Sequence, residues 1–386
     1  MFTDMANLAR IIPDPYRPWL APNAGALDKQ NLAEWVDSRK TSPLCKHAVK
    51  LQFATDNGVE ANKQSLLGVL ALVKGGGNKL EYFTETEVYR CDGGNQQLAE
   101  KLAAPLADCL FLGVRARRIH KSGENMIVDV IDRQNKLRSF VAKRVVLAIP
   151  PSIWPEVAFS TDDPLNFDSR KLKRLKPQMG NNVKCLMSFP SEYWKRSKLS
   201  PNLTSDGSVA LTWHSTEEQA GHGHVLVGFS GGDKALECVN WKPVDRTRNY
   251  IRELSRAYPE TGRELTDARF KNWPHDPFVR ASYAFPAPKE ILRCGPVFDA
   301  GIGNLDFAGE HTCYAFVGYM EGALTPVRHS RLSTLNAQRR TRRADFSQGL
   351  DPICRRRFTP ARHRTVDDSE TRPSVRSRSA VGYPQR

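Results

Sequence analysis

Three stretches of this 386-residue chain carry residue types that could do chemistry. The first is Leu305-Asp306-Phe307-Ala308-Gly309-Glu310-His311-Thr312, with Gly318-Tyr319-Met320-Glu321-Gly322-Ala323 close behind it. It reads as a short buried strand, a glycine turn, a loop and the first turn of a helix. Such a unit sets backbone N–H groups and the positive end of a helix where an anion can sit. The plainer reading is a βα unit of an α/β domain. The second stretch is Asn182-Val183-Lys184-Cys185-Leu186-Met187-Ser188-Phe189, an apolar strand that contains a lysine. A buried lysine is costly unless it has partners; the plainer reading is a strand-end lysine that reaches solvent. The third runs from Trp273 to Tyr283, where either ring alone is ordinary core packing. His222-Gly223-His224 is spaced for a turn rather than for a helical metal site, and His275 and His311 carry no signal of their own. No Ser-His-Asp set or G-x-S-x-G element is present, and no metal site is suggested.

These residues need elements to hold them. Residues 27–73 read as helical: Leu27, Leu32, Trp35 and Val36 recur at helical spacing, with Asp28 in an N-cap region. Gln64 to Val73 forms a second apolar helix, stopped by Gly75-Gly76-Gly77. A third helix follows Gly93-Gly94 through Gln97, Leu98 and Leu102 toward Leu106. Strands are expected over Cys109–Ile119, Met126–Ile131 and Val141–Ile149, with turns at Lys121–Gly123 and Asp132–Asn135. Pro150-Pro151 ends the last of these. Region 152–300 mixes strands at Val183–Phe189 and Val225–Phe229 with a helix from Arg246 to Tyr258.

Composition bounds the class. Hydrophobic residues make up 40% of the chain, enough for a sizeable core. No apolar run approaches the roughly 18–20 residues of a membrane span, and the N-terminus lacks a signal-peptide core. The eight cysteines are scattered without a CxxC pair, as expected of reduced thiols in a cytoplasmic protein. The net charge of +15 is uneven. Residues 331–386 hold 14 Arg, no Lys and 5 acidic groups. That segment reads as a basic, disordered tail; the alternative is nucleic-acid binding through it.

The Leu305–Ala323 stretch resembles the C-terminal flavin-binding motif of the flavin amine oxidases, the family of monoamine, polyamine and L-amino-acid oxidases. Gly93-Gly94-Asn95-Gln96-Gln97-Leu98 and Val145–Pro151 resemble two further segments of that family, and the likeness covers roughly residues 27–324. It implies an α/β (mixed α+β) two-domain fold. Residues 1–92 would be the helical part of the substrate domain and 152–300 its mixed sheet. Residues 93–151 and 301–330 would belong to an incomplete FAD-binding domain, and 331–386 to the tail. The resemblance gives Lys184 a water-mediated contact to flavin N5 and sets Trp273 beside the flavin. Tyr283 and Tyr319 become two rings that flank the substrate nitrogen, favouring an amine by cation–π attraction and by excluding water. Gly309, Glu310 and Thr312 would face the ribityl–pyrophosphate part. Met320 and Glu321 would offer backbone N–H groups to the ring, where the negative charge of reduced flavin sits. Ala116 would lie in the strand that touches adenine. Serine at position 282 cannot form the cysteinyl thioether found in some monoamine oxidases, so the FAD would be non-covalent.

The implied reaction is oxidation of the C–N bond of an amine or L-amino acid by hydride transfer, with dioxygen as acceptor and hydrogen peroxide as product. An amino acid would need a carboxylate clamp, for which Arg90 and Arg280 are candidates. Against this, the chain contains no G-x-G-x-x-G between a strand and a helix, the turn that lets a pyrophosphate approach the backbone. Gly75-Gly76-Gly77-Asn78 has the wrong spacing and follows a helix. A truncated homologue that binds no flavin and catalyses nothing is therefore the second reading, and a nucleic-acid-associated protein acting through the Arg-rich tail is the third.

Overall fold

The computed structural model describes residues 1–325, apart from 84, 85, 88, 90, 162–168, 220 and 222. The basic tail lies outside the described residues. The chain opens with helices α1 (Phe2–Ala9), α2 (Ala24–Lys29), α3 (Leu32–Asp37), α4 (Pro43–Asn57), α5 (Leu66–Gly75) and α6 (Gln96–Ala103). Strands β1 (Arg115–Ser122), β2 (Asn125–Ile131), β3 (Leu137–Ala142), β4 (Val145–Leu147) and β5 (Ala158–Thr161) follow. Next come α7 (Ser169–Arg174), β6 (Asn182–Phe189), α8 (Tyr193–Arg196), β7 (Leu203–Thr204), β8 (Leu211–His214) and β9 (His224–Gly231). The remainder is α9 (Gly232–Asn240), α10 (Arg246–Leu254), α11 (Thr261–Glu264), β10 (Asp267–Asn272), α12 (Glu290–Ala300), β11 (Leu305–Phe307) and α13 (Met320–Leu324).

Among the described residues the strands form three sheets and the buried apolar residues three cores. The largest sheet is antiparallel, in the order β10-β6-β9-β8-β7. A second runs β3-β2-β1-β5, with β5 parallel to β1. The third is the parallel pair β11–β4. One core joins α1–α5 to Phe285, Ile291, Tyr314 and Val317. Another packs Ile119, Met126, Leu147 and Trp154 against Phe298 and Phe307. The last lies between the five-stranded sheet and α9–α10, around Met187, Trp194, Leu226 and Tyr250.

Local details correct the expectations from sequence. Asp28 is not an N-cap. It is buried inside α2, accepting from the Ser65 hydroxyl at 2.7 Å and the Leu292 N–H at 3.0 Å, and so ties α2, the start of α5 and α12 together. The expected strand over 141–149 is two strands, β3 ending at Ala142 and β4 starting at Val145, because each joins a different sheet. Cys109 lies in a short 3₁₀ turn, and the strand after it begins only at Arg115. The helix expected to reach Tyr258 ends at Leu254.

Helix α5 is buried from Leu66 through Val73, and it approaches the loop before α13 through a glycine. A Cβ on Gly75 would lie 2.0 Å from the Ala315 carbonyl oxygen, whereas one on Gly77 would meet nothing within 4 Å. Gly75→Ala is expected to destabilise the chain by about 1–3 kcal/mol through overpacking. Gly77→Ala, with a left-handed backbone at φ +88°, should cost only about 1 kcal/mol. Urea denaturation of the two variants side by side checks the ordering.

Candidate active site

The cleft is built where three distant segments cross. Strand β6 alternates: Val183, Cys185, Met187 and Phe189 are buried against α9 and α10, while Lys184 and Leu186 point to the other face. The lysine therefore needs no partner inside the core. Its ammonium lies 5.4 Å from the centre of the Trp213 ring and 5.3 Å from that of Phe229, a cation–π pair that offsets part of its desolvation. Burial lowers the Lys184 pKa from its ordinary value, and the negative charge of Glu87 works against that shift.

The chain entering β6 is laced to the segment that carries Tyr283. Gly180 N–H donates to the Tyr283 carbonyl, Ser282 N–H to that of Gly180, and Phe285 N–H to that of Gln178. The Asn182 amide donates to the Tyr283 hydroxyl at 3.2 Å, and that hydroxyl donates to the Asp56 carbonyl at the end of α4. Tyr319 arrives from the other side, its hydroxyl 3.4 Å from Thr86 Oγ1. A Cβ on Gly318 would sit 3.3 Å from the Tyr283 ring, and its φ of +83° suits glycine, so the loop passes close to the ring. Burial raises the pKa of both phenols, which stay neutral at ordinary pH.

Glu310 fixes this arrangement. One carboxylate oxygen accepts the Ala284 N–H at 3.0 Å and the other the Gly318 N–H at 2.7 Å, each the immediate neighbour of a cleft tyrosine. Burial pushes its carboxyl up to about 7, with the two N–H groups pulling the other way. Asp56 also titrates high, at about 7, through burial and then the nearby charge of Glu87. Yet the Asp56 and Glu87 side chains touch solvent. Protein surrounds Asp56 without closing over it, as in the wall of a cleft.

Lys184, Tyr283, Tyr319 and Glu310 thus come together, joined by Asp56, Glu87, Asn182 and Tyr82, which sequence reasoning did not single out. Glu310, Tyr319, Lys184 and Tyr283 lie in stretches that the sequence sets apart; Asp56, Glu87 and Tyr82 depend on contacts between distant segments. Gly309 follows β11, and its carbonyl accepts the Thr312 hydroxyl at 2.8 Å, so that hydroxyl is turned into its own loop. Met320 and Glu321 open α13 behind Tyr319. Trp273 sits just past β10, with the Lys271 ammonium 4.0 Å from its ring centre and Asp276 holding that ammonium at 2.8 Å. Ala116 lies elsewhere, opposite Val130 on β2 and against the second core. Arg280 is engaged by Glu156, Arg90 and His222 lie outside the described residues, and the Ser282 hydroxyl is buried without a hydrogen-bond partner.

The arrangement suits the ring end of a flavin: one ammonium, two neutral phenols and a short helix behind them, around a cleft with glycine at its close approach. Among the described residues no G-x-G-x-x-G turn stands ready for a pyrophosphate. The fold itself is that of known amine oxidases. The structure matches cyclohexylamine oxidase from Brevibacterium oxydans IH-35A with a TM-score of 0.70 at 21% identity, over 88% of this chain and 74% of that one. It matches wild-type putrescine oxidase bound to putrescine with a TM-score of 0.73 at 20% identity, over 87% and 73%.

Residues 4–325 match the family described as flavin containing amine oxidoreductase, and the chain belongs to that family. It is 25% identical over 345 residues to amine oxidase [flavin-containing] A of Equus caballus and 24% identical over 350 residues to amine oxidase [flavin-containing] B of Sus scrofa. Each alignment takes in 87% of this chain but only 64% and 66% of the relative, so the chain spans just under two thirds of their length.

Glu310→Gln replaces one accepting oxygen with an amide that cannot accept, and is expected to cost about 1–3 kcal/mol. The sign of its pH dependence follows from linkage. A carboxyl that titrates near 7 when folded and near 4.5 when unfolded contributes stability at low pH and loses it as pH rises through that window. Denaturation of wild type and Glu310→Gln at pH 5 and pH 8 should show a larger gap at pH 5. An equal gap at both pH values would mean that Glu310 is ionised throughout.

Proposed function

We propose that the chain is an FAD-dependent oxidase of amines, transferring a hydride from the carbon beside the amine nitrogen and passing the electrons to dioxygen to give hydrogen peroxide. The observation that carries this reading is the neutral Tyr283–Tyr319 pair, which feels the charges of Asp56 and Glu87 and shares Glu87 with Lys184. When bound, FAD would supply the two-electron acceptor, which no side chain can provide. Lys184, Glu310 through its two loops, and the N–H groups of Met320 and Glu321 would hold the ring end. With serine at position 282, the attachment would be non-covalent.

The protein's own part is binding and orientation. Tyr283 and Tyr319 would take the substrate nitrogen between neutral rings and keep water from it. Glu87, together with Asp56 above its pKa of about 7, would draw in a cationic amine and repel a carboxylate. Their presence favours an amine over an L-amino acid, and the clamp candidate Arg280 is already paired with Glu156. Lys184 would orient a water at the reacting face.

The test is the visible spectrum of the full chain, purified and titrated with FAD, followed by anaerobic addition of benzylamine, putrescine or L-leucine. A bound oxidised-flavin spectrum that bleaches with the amines and recovers in air, with peroxide formed, is expected. A protein that stays colourless with FAD rejects this reading and leaves a non-catalytic homologue; bleaching by L-leucine alone rejects the amine assignment. Asp56→Asn should raise KM for putrescine about tenfold, equivalent to roughly 1.4 kcal/mol, with kcat within about twofold.

A further inference from the structure

A second group of chemically able side chains lies at the other end of the five-stranded sheet. His214 ends β8 opposite Leu226, and His224 opens β9 opposite Phe189. His224 lies two positions before Leu226, so the two histidines form a diagonal pair on one sheet face. Their rings stack at 5.6 Å with 29° between planes. Glu192, just before α8, brings a carboxylate to the same point, and one ligand atom from each of the three lies within 4.8 Å of the others. His214 Nδ1 and Glu192 Oε1 are 3.4 Å apart. Bonds of about 2.0–2.2 Å in a tetrahedral zinc site put neighbouring donor atoms about 3.4 Å from one another.

The protons can be counted. Thr216 Oγ1 donates to the Gly223 carbonyl at 2.8 Å and accepts from the Val225 N–H at 3.0 Å. Its one hydrogen is spent, so its 3.2 Å contact with His214 Nε2 needs the proton on that nitrogen. With its proton on Nε2, His214 can offer Nδ1 as a ligand atom beside the Glu192 carboxylate. His224 Nδ1 is itself buried without a hydrogen-bond partner. The other carboxylate oxygen, Glu192 Oε2, is held by Lys195 at 2.7 Å. Thr216 behind His214 and Lys195 behind Glu192 orient their partners as outer groups do around metal ligands.

We propose that His214, His224 and Glu192 bind one divalent transition-metal ion of the zinc class, with water as the fourth ligand. Two imidazoles and a carboxylate suit zinc or cobalt over calcium or magnesium. The site would clamp the β8–β9 hairpin to the start of α8. It lies five residues along β6 from Lys184, about 17 Å at the rise of a strand, and so would act on stability rather than on amine chemistry.

The full chain, stripped with a chelator, is titrated with cobalt(II) and then with zinc. Expected are the visible bands of tetrahedral cobalt saturating at one equivalent, their loss on adding one equivalent of zinc, and a higher Tm with either metal. His214 is buried and its variants could fail to fold, so the ligand test uses His224→Gln and Glu192→Gln, with circular dichroism confirming the fold. Each should weaken cobalt binding about tenfold to a hundredfold. No visible band with folded protein would overturn the proposal, as would bands unchanged in both variants. Thiolate-to-cobalt charge-transfer absorption would do the same by assigning the metal to cysteines.

Discussion

The cleft depends on one carboxylate. Glu310 accepts the N–H next to Tyr283 with one oxygen and the N–H next to Tyr319 with the other, so the separation of the two rings is set by the span of a single side chain. Both donors are backbone groups in irregular segments, where no helix or sheet ladder would satisfy them. A shorter Asp could not reach both, and an amide could accept only once. Burial makes the group titrate near neutrality, so the same residue that sets the geometry also makes it sensitive to protons.

The alternation of β6 does the second part of the work. A strand's period of two lets one segment serve a core and a cleft together: Cys185 and Met187 fill the space under α9 and α10 while Lys184 looks the other way. The apolar reading of the strand was correct for half its residues, and the lysine belongs to the other half. The same sheet carries His214 and His224 at its far end, so one rigid platform holds two separate clusters of functional groups.

Much of the fold was legible wherever the signal was local. The apolar helix expected from Gln64 to Val73 is α5, begun two residues later behind its Ser65 cap and ended at the glycines. The short buried strand before Gly309 and the helix after Tyr319 also lie where the pattern puts them. What sequence could not show was set by distant partners. Asp28 looks like a cap until Ser65 and Leu292 take both its oxygens. The apolar run into Val145–Leu147 looks like one strand until its halves choose different neighbours. Within the cleft, the motif around Glu310 and Tyr319 could be read from its residues, whereas Asp56 and Glu87 stand in polar surroundings without any pattern. The place of Asp56 is fixed by α4 ending beneath a tyrosine more than two hundred residues later.

The burial of α5 bears on how the chain is made. Leu66 to Val73 have no solvent-facing side, and part of their covering, Phe285, Tyr314 and Val317, is synthesised more than two hundred residues later. During translation the N-terminal helices leave the ribosome with an apolar surface that stays uncovered for some two hundred codons, a span of roughly 10–40 s at ordinary elongation rates. A nascent chain in that interval is a client for chaperones, and termination before residue 285 leaves a product whose most apolar helix lacks that part of its cover.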